Sequence, residues 1–173
     1  MFKDLLKKRR TIRKYKNEKL SEEDLRTILS AGLHAPSGSN KNPWQFIVIT
    51  DEENIKKAAD LKEHRTDFPY HAAAIILVAV DHELSATTFS EDAAIATTLM
   101  QLQATDIGVG SCWIHARTAS TKDGENSSEY LKKTFGIPDN FTVDMMLALG
   151  YPDEEKEEKE PQDFNERVHF ERY

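Results

Sequence analysis

Ala35-Pro36-Ser37-Gly38-Ser39-Asn40-Lys41-Asn42-Pro43-Trp44 lies between a helical pattern and a strand pattern. Pro36 disfavours helical geometry in the residue before it, so a preceding helix should stop near Ala35. Residues 37–43 have loop chemistry. Small hydroxyl residues and a glycine let backbone groups come close to a flat ligand. Asn40 offers both a donor and an acceptor, which suits an imide-like ring edge. Composition alone leaves an ordinary helix-to-strand turn as an equal alternative.

Upstream of this stretch, Ser21 is a good N-cap and Asp24 follows three residues later, as in a capping box. Leu25, Ile28, Leu29 and Leu33 then recur at helical spacing. Before them, Phe2–Lys8 reads as a short helix with Phe2, Leu5 and Leu6 on one side. Downstream, residues 44–50 read as a strand and 52–61 as a helix. Residues 73–80 form a continuous apolar run of strand length, the pattern of a buried strand. Ser90 is placed to cap a long helix reaching about Ile107. Its apolar residues Ala94, Ile95, Leu99, Leu102 and Ile107 spread around the circumference, so it should be buried on more than one side, a subunit interface included. Gly108 and Gly110 break it, and residues 111–115 read as a strand. Ser127–Phe135 is a helix ending at Gly136. Residues 143–149 are a last strand, cut off by Gly150-Tyr151-Pro152. The sum is a mixed α+β layer with a central sheet of about four strands, whose order does not follow from the sequence.

The chain has 173 residues, which suits one domain over residues 1–173. Hydrophobic residues make up 39% and charged residues 31%, enough for a packed core. The longest apolar run, residues 72–80, is far shorter than the ~20 residues needed to cross a bilayer. The first residues carry no apolar signal core, and Cys112 is the single cysteine, so a cytoplasmic protein without membrane or disulfide is expected. The net charge of -7 argues against general nucleic-acid binding. Yet Lys3, Lys7, Lys8, Arg9, Arg10, Arg13, Lys14 and Lys16 crowd one end, while residues 153–160 are acidic. A basic cluster on an acidic chain suits a small anionic ligand, and a solvated helix face is the plainer alternative. Beyond the acidic stretch, Val168, Phe170 and Tyr173 are apolar, so residues 153–173 read as an arm that docks on a partner.

Two further stretches carry chemistry. In Lys8-Arg9-Arg10-Thr11-Ile12-Arg13, arginine forks and a hydroxyl match a phosphate monoester. In an extended segment Thr11 and Arg13 share one face, with Ile12 on the other. Gly108-Val109-Gly110-Ser111-Cys112-Trp113-Ile114-His115 is a glycine turn entering a strand, but a strand rather than a helix follows, so it is no dinucleotide fingerprint. Cys112 and Trp113 taken singly read as core residues. His34, His64, His71, His82, His115 and His169 lack zinc-like spacing, so no metal is expected. Glu91 and Asp92 fall in the first turn of a helix, where the dipole alone accounts for acids.

In this order, these segments resemble the nitroreductase family over nearly the whole chain. The family opens with a basic pair, a hydroxyl residue and a further basic residue, as in Arg9-Arg10-Thr11-Ile12-Arg13. Its A-P-S-x-x-N-x-Q-P-W loop is similar to residues 35–44. Its E-D-A-A helix, G-x-G-S-C-W strand and G-Y-P turn are similar to residues 91–94, 108–113 and 150–152. The resemblance implies an α+β nitroreductase-like fold, a mainly antiparallel sheet flanked by helices, in an intertwined homodimer with FMN at the interface. It implies that Arg9, Arg10 and Thr11 hold the FMN phosphate or ribityl chain, and that Arg13 approaches the flavin pyrimidine. Pro36, Ser37 and Asn40 would be supplied by the other subunit. Trp113, Ile114 and His115 would line the isoalloxazine, with a backbone N–H near His115 facing flavin N5. The implied reaction is hydride transfer from NAD(P)H through flavin N5 to nitroaromatics, quinones or similar electrophiles by a ping-pong scheme. Arg13 would then stabilise charge on the reduced ring, and no side-chain base is needed. A storage or sensing flavoprotein, or reductive dehalogenation on the same fold, are the alternatives. Two positions depart from the family pattern. Asn42 replaces a glutamine, and the tail offers Lys159 where the family often has a phosphate-binding arginine.

Overall fold

Ala74–Asp81 (β2) is the strand around which the chain is arranged. A computed structural model describes residues 1–61 and 67–173, so His64 lies outside the described residues. The helices are Phe2–Lys8 (α1), Glu22–Leu33 (α2), Glu52–Ala59 (α3), Phe89–Asp106 (α4), Ser127–Phe135 (α5) and the short Phe164–Arg167 (α6). The other strands are Trp44–Ile49 (β1), Gly110–His115 (β3) and Phe141–Gly150 (β4). They form one sheet in the order β1-β2-β4-β3, with every neighbouring pair antiparallel.

Both faces of the central strands are covered, which is why residues 73–80 read as unbroken apolar sequence rather than alternation. Ile76, Val78 and Val80 pack with Ile28 of α2 and with Ala93, Ala96, Met100 and Ala104 of α4. Ile75, Leu77 and Ala79 turn to the opposite layer, against Ile55 and Ala58 of α3 and Leu131 of α5. Each fully buried leucine, isoleucine or valine contributes ~1.5–3 kcal/mol. The register of β2 on β4 slips between Val78 and Ala79, which face Met145 and Val143. Asp144 is therefore the extra residue of a β-bulge. The bulge inverts the parity of β4, so Val143 and Met146 share a layer.

Ser21 caps α2 through its hydroxyl, which accepts from the Asp24 N–H at 3.0 Å. The reciprocal half of a capping box is replaced: the Asp24 carboxylate accepts from the Tyr151 hydroxyl at 2.6 Å instead. Ser90 is not the cap of α4. The helix starts at Phe89 with Thr88 as N-cap, because the Ser90 hydroxyl is held by the buried Asp144 carboxylate. No described helix is long and apolar enough to cross a membrane. The apolar residues of the tail, Phe164, Val168, Phe170 and Tyr173, are exposed on the single chain.

Candidate functional site

The basic N-terminal stretch meets the edge strand β3 at its start and then runs beside residues 151–153. Thr11 forms a parallel bridge with Ser111, and the Ile12 N–H donates to the Ser111 carbonyl at 3.0 Å. Ile12 is buried and Arg13 is exposed, with Thr11 between the two extremes, so the expected alternation is present. Two glycines make the approach possible. A Cβ on Gly110 would fall 2.8 Å from Ile12 Cγ2, and one on Gly150 would fall 2.8 Å from Tyr15 Cδ1. The glycines of the G-x-G strand and the G-Y-P turn thus clear the surface on which residues 11–15 rest. The Tyr15 hydroxyl donates to the Ile12 carbonyl at 2.8 Å and, buried, has its pKa pushed up.

The pairing of β3 decides where its backbone groups point. In an antiparallel pair a residue turns both N–H and C=O toward its partner strand or both away. The Ser111 carbonyl faces Ile12, whereas the Ala116 N–H donates to the Asp144 carbonyl on the β4 side at 3.1 Å. Trp113 and His115, sharing the parity of Ser111, therefore aim their N–H groups at the outer edge, just beyond Thr11. Ile114 points its side chain into the core. Trp113 is 46% exposed and donates its indole N–H to the Met145 sulfur. His115 Nε2 accepts the Thr118 N–H at 3.2 Å and lies 2.7 Å from the Thr118 hydroxyl.

The tail returns along the same stretch. The Arg10 guanidinium donates to the Glu157 carbonyl, and the Lys159 N–H donates to the Lys7 carbonyl at 3.0 Å. Lys159 is thus carried to the basic cluster. Lys156, which the sequence reading did not single out, joins Lys8 and Arg10 around a cavity of about 160 Å³. Glu154 Oε1 accepts from the Arg13 N–H at 2.6 Å and the Lys14 N–H at 3.1 Å, and Oε2 pairs with Lys156 at 2.6 Å. Burial would raise the Glu154 pKa, but these donors outweigh it and hold it down at about 2. The Arg13 guanidinium stacks over the Phe68 ring, 5.7 Å from its centroid.

The second group of expected residues lies elsewhere on the chain. Pro36, Ser37 and Asn40 sit before β1, at the opposite edge of the sheet from β3. Three strand spacings separate these edges, roughly 14 Å at ~4.8 Å each. Ser39, Asn40 and Asn42 are left-handed, with φ of 52°, 55° and 49°. Asn tolerates that region better than most residues do. Asn42 uses its shorter amide within the loop, where Oδ1 accepts from Ser37 Oγ at 3.1 Å and Nδ2 donates to the Asn40 carbonyl at 3.3 Å.

Asp144 escaped the sequence reading, although a lone acid inside an apolar strand pattern was its signal. It is 2% exposed. Its carboxylate accepts from Ser90 Oγ at 2.9 Å and lies 2.8 Å from Arg117 Nε. Its carbonyl accepts the N–H groups of Ala116 and Arg117. The bulge residue thereby fixes the corner that follows His115. Burial raises the Asp144 pKa against the opposing pull of Ser90, Arg117 and His115.

Comparison with known proteins agrees with this fold. The nitroreductase family profile matches residues 6–64 and 56–151. A protein of Archaeoglobus fulgidus named as an NADH dehydrogenase/NAD(P)H nitroreductase is 36% identical over 95% of this chain and 94% of its own. An iodotyrosine deiodinase of Thermotoga neapolitana is 30% identical over 90% of this chain and 91% of its own. Among solved structures, an FMN-dependent nitroreductase of Clostridium difficile superposes with a TM-score of 0.93 at 35% identity, covering 98% of both chains. The chain is an oxidoreductase, and it belongs to the nitroreductase family.

Proposed function

We propose that the protein is a homodimeric FMN enzyme that oxidises NAD(P)H and reduces nitroaromatics, quinones or similar small electrophiles. The observation that carries this reading is the juxtaposition on β3 of outward-facing Trp113 and His115 amides with a basic stretch that joins the same edge at Ser111. These groups fit FMN: amides for the ring edge, and Arg9, Arg10 and Thr11 for the phosphate and ribityl chain. When bound, FMN supplies a carrier that takes a hydride from the nicotinamide and delivers it to the acceptor. Arg13 would contribute positive charge toward the pyrimidine end of the ring. Trp113 offers an apolar wall, and the pinned corner at Asp144 keeps the His115 amide in place. No residue of the chain needs to move a proton for the hydride step.

The separation of the two halves supports completion of the site by a second copy. Residues 36–42 of one subunit would meet the basic stretch of the other. A groove of about 900 Å³ between α1, α2 and α4, lined in part by Phe2, Leu5, Ala31, Leu99 and Leu102, supports such an association. Exposed Leu33 and Ile95, with the apolar end of residues 153–173, are further surface for the partner to cover.

The similarity to the Thermotoga deiodinase favours reductive dehalogenation of a halogenated aromatic as a second reading. One experiment separates the possibilities. Purified protein should be yellow, NAD(P)H should bleach it without oxygen, and a nitroaromatic, a quinone or iodotyrosine should restore the colour. Recovery with iodotyrosine alone selects the second reading. Bound flavin that NAD(P)H fails to bleach means a storage or sensing protein, and protein with no affinity for FMN refutes the proposal.

A further inference from the structure

Asp92 is an acid in the first turn of α4, and the helix dipole accounts for that much. It does not account for the burial of Asp92 to 2% exposure, or for its contact with a loop 54 residues earlier. Asp92 Oδ1 accepts the Gly38 N–H at 2.8 Å. Oδ2 accepts from Ser85 Oγ at 3.0 Å and from Thr88 Oγ1 at 3.1 Å. The carboxylate is therefore fully engaged by donors from two separate segments, as a buried charge requires. Gly38 is pressed against this cluster so closely that an added Cβ would collide with Thr88 Oγ1.

The segment it holds is costly to keep in one shape. Three residues without glycine's freedom are left-handed there. The loop's internal bonds, Asn40 N–H to the Ser37 carbonyl at 3.0 Å and Asn42 N–H to Ser37 Oγ at 2.8 Å, shape the turn. They do not fix its place on the subunit. The bond from Gly38 to Asp92 ties the tip to the body of the subunit, next to the start of α4.

We propose that Asp92 is a positioning residue for the flavin site completed by the partner subunit. Its carboxylate clamps Gly38 and so presents Ser37 and Asn40, already arranged, to the FMN held by the other copy's basic stretch. This rests on the function proposed above.

The test uses FMN uptake by the flavin-free dimer. Asp92→Asn keeps an oxygen for the Gly38 N–H, and its amide can donate to the Ser85 and Thr88 hydroxyls, which rotate to accept. It should bind FMN within about threefold of wild type, while Asp92→Ala should lose about tenfold or more. Mixed dimers of an Asp92→Ala chain with an Arg10→Ala chain provide the decisive measurement. If the loop serves the partner, both lesions fall in one site and the other is intact, giving one full-affinity FMN per dimer. The same readout holds where Asp92→Ala alone folds poorly. If the clamp served its own subunit or only general stability, each site would carry a lesion and none would bind normally, which overturns the inference. Wild-type affinity in Asp92→Ala overturns it too, with the proposed function left standing. Failure of the wild-type protein to bind FMN overturns both.

Discussion

Replacing Glu154 tests how the acidic tail supports the basic stretch. Its carboxylate accepts two backbone N–H groups, from Arg13 and Lys14, and pairs with Lys156. A hydrogen bond to a charged group is worth ~1.5–3 kcal/mol. Arg13 and Lys14 are exposed, so water can replace the lost acceptor and the lower end applies. Glu154→Ala should then cost about 3 kcal/mol for the two bonds, a fall in Tm of roughly 6–12 °C for a chain of this size. Glu154→Gln keeps an oxygen for both amides and should cost less, losing the charge on that acceptor and a partly exposed ion pair worth ~0.2–1 kcal/mol. The pH dependence has a definite sign. The folded pKa, about 2, lies below the ordinary 4.5, so this stability is complete above pH 4.5 and fades as pH falls toward 2. Urea denaturation of the three proteins at neutral pH and at mildly acid pH measures both effects. Equal stability of wild type and Glu154→Ala at neutral pH would refute the reasoning, as would an unchanged gap between wild type and Glu154→Gln in acid.

Gly110→Ala places a Cβ 2.8 Å from Ile12 Cγ2 and 3.1 Å from the Gly150 carbonyl oxygen. It should cost ~1–3 kcal/mol and weaken FMN binding, because the basic stretch must lift off β3; equilibrium unfolding and flavin titration check this. Asp144 has a raised folded pKa, so the folded state holds its proton more tightly and wild-type stability falls as pH rises above the ordinary 3.8. Asp144→Asn lacks that dependence, so it should gain on wild type between acid and neutral pH; denaturation across that range would show a constant difference if burial were not the cause. Leu77→Ala, in the doubly covered strand β2, should cost ~2–5 kcal/mol, read from the same denaturation curves.

The elements were legible where local chemistry decides them. Ser127–Phe135 keeps its expected bounds because Asn126 caps it, accepting from the Glu129 N–H, and Gly136 ends it at φ 66°. The unbroken apolar run of residues 73–80 gave away a strand buried on both faces. What failed depended on partners distant in sequence. Ser90 has cap chemistry, but a carboxylate 54 residues later takes its hydroxyl. Asp24 fits a capping box, yet Tyr151 claims it. Strand order and the bulge at Asp144 have no local signature, since both are set by how β2 and β4 share two layers. Asp92 was legible as a first-turn acid and illegible as a clamp, because its burial depends on Gly38, Ser85 and Thr88 converging on it.

The acidic tail poses the sharpest electrostatic question, since it brings Glu154, Glu157, Glu158 and Glu160 to a proposed phosphate site. Two of these acids are already paired. Lys156 neutralises Glu154, and Glu160 is matched to Lys7 at 2.7 Å. The backbone rather than a carboxylate meets Arg10, whose bond goes to the Glu157 carbonyl. Among the described residues, Lys8, Arg9, Arg10 and Lys159 have no ion pair in the structure, so their donors are not taken up by the tail's carboxylates. A phosphate needs such donors in a preset geometry more than it needs a basic chain overall. The tail therefore acts on the site mainly by position: it carries Lys159 to Lys7 and holds Arg10 by its guanidinium, while Glu154 fixes the backbone of Arg13 and Lys14.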